Sequence, residues 1–140
     1  MTNVVNRFAG IYEFLSNFYP APVTLDGVVY PTVENAFQAA LRRQFAQCSP
    51  GYAKKLGRQV ALRSDWEAVK DGIMYELLKQ KFARGTSLAD MLLSTGSAYL
   101  CEGNMWHDNH FGACSCDRCV LVPHTNMLGI MLMRLREELK

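Results

Sequence analysis

The sequence predicts a mainly α-helical, single compact domain with a small N-terminal β-hairpin. Three observations carry this. Apolar residues recur at helical spacing in two long stretches, Trp66, Val69, Ile73, Leu77 and Leu128, Leu132, Leu135, Leu139. Asp26-Gly27 stands between runs of β-formers, the signature of a two-residue hairpin turn. The chain's 140 residues, 49% hydrophobic and 20% charged, suffice for one domain that buries a core without staples. Disorder, collagen and small disulfide scaffolds are excluded by the same composition.

In chain order, Phe14-Leu15-Ser16-Asn17-Phe18-Tyr19-Pro20 reads as an extended, aromatic-rich piece, and Val23 to Tyr30 as the hairpin. Thr32 is placed to cap a helix carrying Glu34, Phe37, Gln38 and Leu41. Ser49-Pro50 opens a second helix that stops near Gly57, with proline at the tolerated first position. Ser64-Asp65-Trp66-Glu67 is a capping box for the longest helix, where Met74, Leu78 and Phe82 add a second row before Gly85. Trp66, at the head of its stripe, reads as core. Ser87-Leu88-Ala89-Asp90 starts a shorter helix ending at Gly96, and the last helix begins near Thr125. Residues 99 to 124 show little periodicity, a long stretch for a plain connection and therefore a functional candidate. No repeat or linker divides the chain.

The formal net charge is only +2, but its distribution is uneven. From Asn35 to Ser64 there is no acidic residue, while Arg42, Arg43, Lys54, Lys55, Arg58 and Arg63 supply six positive charges. Such a field suits an anionic ligand such as phosphate, or a solvated basic face. No apolar run approaches the about 18 residues that span a bilayer, and the first residues lack a signal peptide's apolar segment, so a soluble, cytoplasmic protein is expected. Five cysteines, three of them within six residues, fit a reducing compartment better than a disulfide framework.

Two constellations can carry chemistry. Cys114-Ser115-Cys116-Asp117-Arg118-Cys119 is C-x-C-x2-C, with His124 five residues on and His107 and His110 upstream, so a structural zinc with His124 as fourth donor can be assembled; the other reading is a surface loop with free thiols. A cysteine nucleophile would need a base that nothing in the sequence orients. Glu34 and Gln38, four residues apart, share a helix face with apolar neighbours, as in a pocket wall, although a first-turn glutamate also stabilises a helix end. Asp108, between His107 and Asn109, is either functional or a turn residue.

Taken together, Phe14 to Pro20, Tyr30-Pro31-Thr32-Val33-Glu34-Asn35-Ala36-Phe37-Gln38-Ala39-Ala40, Leu56-Gly57-Arg58 with Arg63-Ser64-Asp65-Trp66, Lys81-Phe82, Glu102-Gly103-Asn104-Met105-Trp106-His107-Asp108-Asn109-His110-Phe111-Gly112 and Asn126-Met127-Leu128-Gly129 resemble the YbiA-like, or NADAR, family. The resemblance spans nearly the whole chain. It implies a mainly helical domain and an N-glycosidase that cleaves a ribose C1′–N bond, in riboflavin-pathway intermediates or in ADP-ribose attached to guanine.

On that resemblance, Glu34 and Asp108 match the family's acidic pair, and no cofactor is required for catalysis. Cleavage of an N-glycosidic bond develops positive charge on the ribose, which a carboxylate stabilises. Ser16, Asn17, Phe18, Gln38, Glu102, Asn104, His107, Gly112 and Asn126 match binding positions; Arg58, Arg63 and Lys81 can meet phosphate, and Trp106 and Phe111 offer stacking faces. The expected partner is a phosphorylated ribosyl or ADP-ribosyl small molecule, free or attached to nucleic acid, with no membrane involved. Two features depart from the family. Leu41 stands where many relatives have a lysine, which closes a Schiff-base route through that position, and Phe111-Gly112 replaces Trp-Gly. The alternatives are a non-catalytic ADP-ribose-binding module and a zinc-containing nucleic-acid-binding domain.

Overall fold

The computed structural model describes residues 3–42 and 66–140. The second predicted helix, Ser64 and Asp65 of the capping box, and Arg58 and Arg63 lie outside the described residues. Two compact units are formed, Asn17–Ala83 and Met1–Ser16 with Arg84–Lys140.

In the first of these, β2 (Val23–Leu25) and β3 (Val28–Tyr30) pair antiparallel with Val23 opposite Tyr30. Asp26 and Gly27 take φ of 51° and 79°, the left-handed pair that a type I′ turn demands. Helix α1 (Val33–Arg42) follows. Thr32 caps it as predicted: its Oγ1 accepts from the Asn35 amide at 3.0 Å and donates to Asn35 Oδ1 at 2.8 Å. Positions 33 to 41 are all buried, so this short helix is enclosed on every side, and Ala36, Ala39 and Ala40 let its neighbours approach closely.

Helix α2 (Trp66–Lys81) packs on α1, with the Phe37 and Trp66 rings 4.8 Å apart and tilted by 54°. Trp66 is core, as expected. The buried face is Trp66, Met74, Leu77, Leu78 and Lys81, followed by Phe82, whereas Val69 and Ile73 of the predicted stripe are only half-buried. Gln80 presents its side-chain amide to Thr24 as another strand would, donating to its carbonyl and accepting from its amide, both at 2.7 Å.

In the other unit, β1 (Val4–Val5) runs parallel to β4 (Tyr99–Leu100), and β5 (Gly103–Asn104) runs parallel to β6 (Ala113–Cys114). Helix α3 (Ser87–Ser94) is capped one residue earlier than Ser87, by Thr86 accepting from the Ala89 amide at 3.2 Å. Helix α4 (Met127–Glu138) buries the whole predicted stripe of Leu128, Leu132, Leu135 and Leu139. Arg136 lies on the same buried side and donates to Thr95 Oγ1 at 2.7 Å and the Ala98 carbonyl at 2.9 Å, while its Nε is buried with no partner among the described residues. Arg84 donates to the carbonyls of Glu138 and Leu139, filling orphan acceptors at the end of α4. A Cβ on Gly129 would strike the Leu100 carbonyl, so glycine is what lets α4 lie against β4. The aperiodic stretch thus holds three two-residue strands and a 3₁₀ turn, Asp117–Cys119, elements too short to leave a periodic signal. Among the described residues no helix is long and apolar enough to cross a membrane.

Candidate functional site

Helix α1 places Glu34 in its first turn, buried to 5% exposure. The Gln38 amide, one turn on, donates to Glu34 Oε1 at 3.1 Å. The segment before the hairpin reaches the same turn, since the Glu34 amide donates to the Asn17 carbonyl at 3.0 Å. Asn17 and Gln38 are each 8% exposed, and among the described residues Asn17 Oδ1 and Gln38 Oε1 are buried without a hydrogen-bond partner. An orphaned buried acceptor costs about 1–3 kcal/mol. Leu41 is buried on the same helix and brings no amine.

Lys81 closes the buried face of α2, with its Nζ 5.7 Å from the Tyr19 ring centroid and 5.1 Å from that of Phe82. Burial lowers its pKa from 10.5 to about 7, which leaves a substantial neutral fraction at physiological pH. Phe18 is 38% exposed and offers an accessible ring.

In the other unit, Asn104 is the hub of the loop that carries Asp108. Its Oδ1 accepts from the Trp106 and Asp108 amides, both at 3.2 Å, and its Nδ2 donates to the Asp108 carbonyl at 2.9 Å and to Glu102 Oε2 at 3.3 Å. Asp108 Oδ1 accepts from the His110 and Phe111 amides at 3.1 and 2.9 Å, which is the turn role named for it from sequence. The carbonyls of His110 and Phe111 in turn accept from the Met127 and Leu128 amides at 2.8 and 2.9 Å. Asn126, in the left-handed region at φ 52°, makes no side-chain cap of its own, so this loop satisfies the orphan donors of α4.

Asn104 and Asn126 both brace this loop. Both are buried, and Asn126 spends its side chain on the Glu102 amide at 3.0 Å and the Leu100 carbonyl at 2.9 Å. Gly112 is structural as well: a Cβ there would strike the Glu102 carboxylate and carbonyl. Ser16 ends the 3₁₀ turn Gly10–Leu15 through its amide, which donates to the Glu13 carbonyl at 2.9 Å. Trp106 is 49% exposed, and Phe111 is half-buried with its ring edge-on to His110 at 4.6 Å. A cavity of about 330 Å³ lined by Val5, Tyr12, Phe14, Ser94 and Thr95 includes none of the predicted residues.

The cysteine cluster is assembled, with one correction. Cys114, Cys116, Cys119 and His107 bring their donor atoms within 4.8 Å of one another. His124, expected as fourth donor, is exposed and outside the group. The sequence pointed to the histidine nearest the last cysteine, but the left-handed turn at His107, φ 69°, folds the upstream histidine back instead. Asn109, which sequence reasoning missed, supports the cluster by donating to Cys119 Sγ at 3.4 Å while its Oδ1 holds the Cys114 amide at 2.9 Å. Its place in an Asp/Asn-rich turn was the available signal.

The family model described as the NADAR domain matches residues 6–140. The chain belongs to the NADAR family. This NADAR chain is 34% identical to N-glycosidase YbiA of Escherichia coli K12, over 91% of its own length and 82% of that protein's. It is 31% identical to riboflavin biosynthesis protein VVA0006 of Vibrio vulnificus, over 99% of its length and 40% of that protein's. The NMR structure of E. coli YbiA superposes with a TM-score of 0.78 at 32% identity, covering 99% of this chain and 86% of that one. The mainly α fold with small sheets is thus the NADAR fold.

Proposed function

We propose that this NADAR protein hydrolyses the ribose C1′–N bond of a phosphorylated ribosyl or ADP-ribosyl small molecule. It is a hydrolase of N-glycosyl bonds, a reading supported by its family and by its 34% identity to an N-glycosidase. The phosphoribosyl substrate is supported by its likeness to riboflavin biosynthesis proteins.

The observation that carries the site is the buried Glu34 carboxylate, held by the Gln38 amide and joined through its backbone to Asn17, whose amide oxygen, like that of Gln38, has no hydrogen-bond partner among the described residues. As C1′–N breaks, positive charge grows on C1′ and the ring oxygen. A carboxylate in a buried setting stabilises that charge more than water does, and it orients the attacking water. The Gln38 amide holds Glu34 in one rotamer, and the free acceptors of Asn17 and Gln38 take hydroxyl or amino donors of the ligand. Asp108 is assigned as the second acid on the family resemblance. The test is release of free base, followed by mass spectrometry, from ADP-ribosylated guanine and from a ribosylamino-pyrimidine phosphate.

One observation favours a second reading, a binding module without turnover: Leu41 in place of the family lysine. Tight ADP-ribose binding by calorimetry, with no base released from either substrate, would select it.

A further inference from the structure

The loop between β5 and α4 gathers four metal-ligating atoms for which the reaction above has no use. His107 Nδ1 lies 3.3 Å from Cys116 Sγ, 3.3 Å from Cys119 Sγ and 3.9 Å from Cys114 Sγ. In a tetrahedral zinc site with Zn–S near 2.3 Å, donor atoms stand about 3.8 Å apart, so the observed spacing fits one ion. The four atoms are too close together to enclose a cluster of several irons. We propose that His107, Cys114, Cys116 and Cys119 form a Cys3His zinc site that holds the Asp108 loop.

Three features support the site beyond its spacing. The donors come from four separate places, the left-handed turn at His107, strand β6, the residue capping the 3₁₀ turn and that turn's last residue, yet they converge. The left-handed φ of His107 is an uncommon conformation for a residue with a Cβ, kept where surrounding structure requires it, and here it brings Nδ1 to the thiols. Asn109 supplies the outer contact usual around metal thiolates, an N–H directed at Cys119 Sγ.

Four protein donors leave no open position, so the ion is structural rather than a water activator. Binding converts three thiols to thiolates and releases up to three protons; His107 binds neutral through Nδ1 and keeps its Nε2 proton. The site then carries a net charge of −1. His107 stands between Trp106 and Asp108 in the chain, so the ion would fix the turn that Asn104 organises from within.

The test is metal content of the intact protein, produced with zinc supplementation and dialysed against metal-free buffer. About one zinc per chain is expected, unchanged in His124→Ala and largely lost in His107→Ala and Cys116→Ser. Cobalt(II) added to reduced, zinc-stripped wild type should give the intense visible bands of a tetrahedral ion and thiolate charge transfer in the near ultraviolet, which guards against a variant that merely misfolds. Wild type holding less than about a tenth of an equivalent and giving only the pale spectrum of octahedral cobalt would overturn the proposal. So would metal that survives His107→Ala but not His124→Ala. Neither result depends on which substrate is cleaved.

Discussion

Asn17 and Met74 make a weak pair, Nδ2 to Sδ at 3.6 Å, and the other end of the same amide, Oδ1, is buried with nothing to accept from among the described residues. For folding alone this is a poor use of a buried position. A leucine of similar volume would remove an orphan that costs about 1–3 kcal/mol. Asn17→Leu should therefore leave the melting temperature unchanged or raise it, while KM for the N-glycosyl substrate increases about tenfold or more. A variant that loses stability and keeps its KM would show that the amide serves the fold.

The Lys81 amine gives a pH dependence of known sign. Its folded pKa, lowered by burial to about 7, lies below the unfolded value of 10.5. Between those values the unfolded chain binds more protons, so stability contributed by this group rises with pH from about 7 toward 10 and is lowest below pH 7, where the buried amine is charged. Lys81→Met should abolish that rise. The check is the difference in melting temperature between wild type and variant at pH 6.5 and pH 9; an unchanged difference would mean that the amine stays charged in the folded protein.

The fold was legible where a physical rule acts locally. Asp26-Gly27 could make only a short list of turns, Thr32 had an Asn35 amide three residues on to accept from, and the leucines of α4 repeat at helical spacing. The site was less legible. Glu34 and Gln38 could be placed on one helix face, but the contact of Asn17, seventeen residues away from Glu34 in sequence, with the same turn depends on folding. Three histidines, His107, His110 and His124, stood near the cysteines and sequence distance favoured His124, whereas a single left-handed residue decides which imidazole meets the thiols. That Asn104 and Asn126 brace the loop was not legible, because polarity in a loop does not reveal which backbone and side-chain groups it will meet.

Asp108 joins two roles that one substitution separates. Asp108→Asn keeps an oxygen for the His110 and Phe111 amides and removes the charge, whereas Asp108→Ala removes both. If the carboxylate takes part in chemistry, the asparagine variant should retain its melting temperature and lose about 10²-fold or more in kcat. If only the turn matters, the asparagine variant should work normally and only the alanine variant should fail.

Gly112 tests the loop's packing. An added Cβ meets the Glu102 carboxylate and carbonyl, and the Asn104 amide, a hub that cannot shift without loosening Asp108. Gly112→Ala should cost about 1–3 kcal/mol in urea unfolding, the range for overpacking. A loss below a few tenths would mean that the loop yields easily.

The central claim is that the buried Glu34 carboxylate stabilises the breaking C1′–N bond. Glu34→Gln keeps the volume and an oxygen for the Gln38 amide but removes the charge. Base release at saturating substrate, measured by mass spectrometry, should fall about 10²–10⁴-fold with thermal stability retained. Release at the wild-type rate would contradict the account.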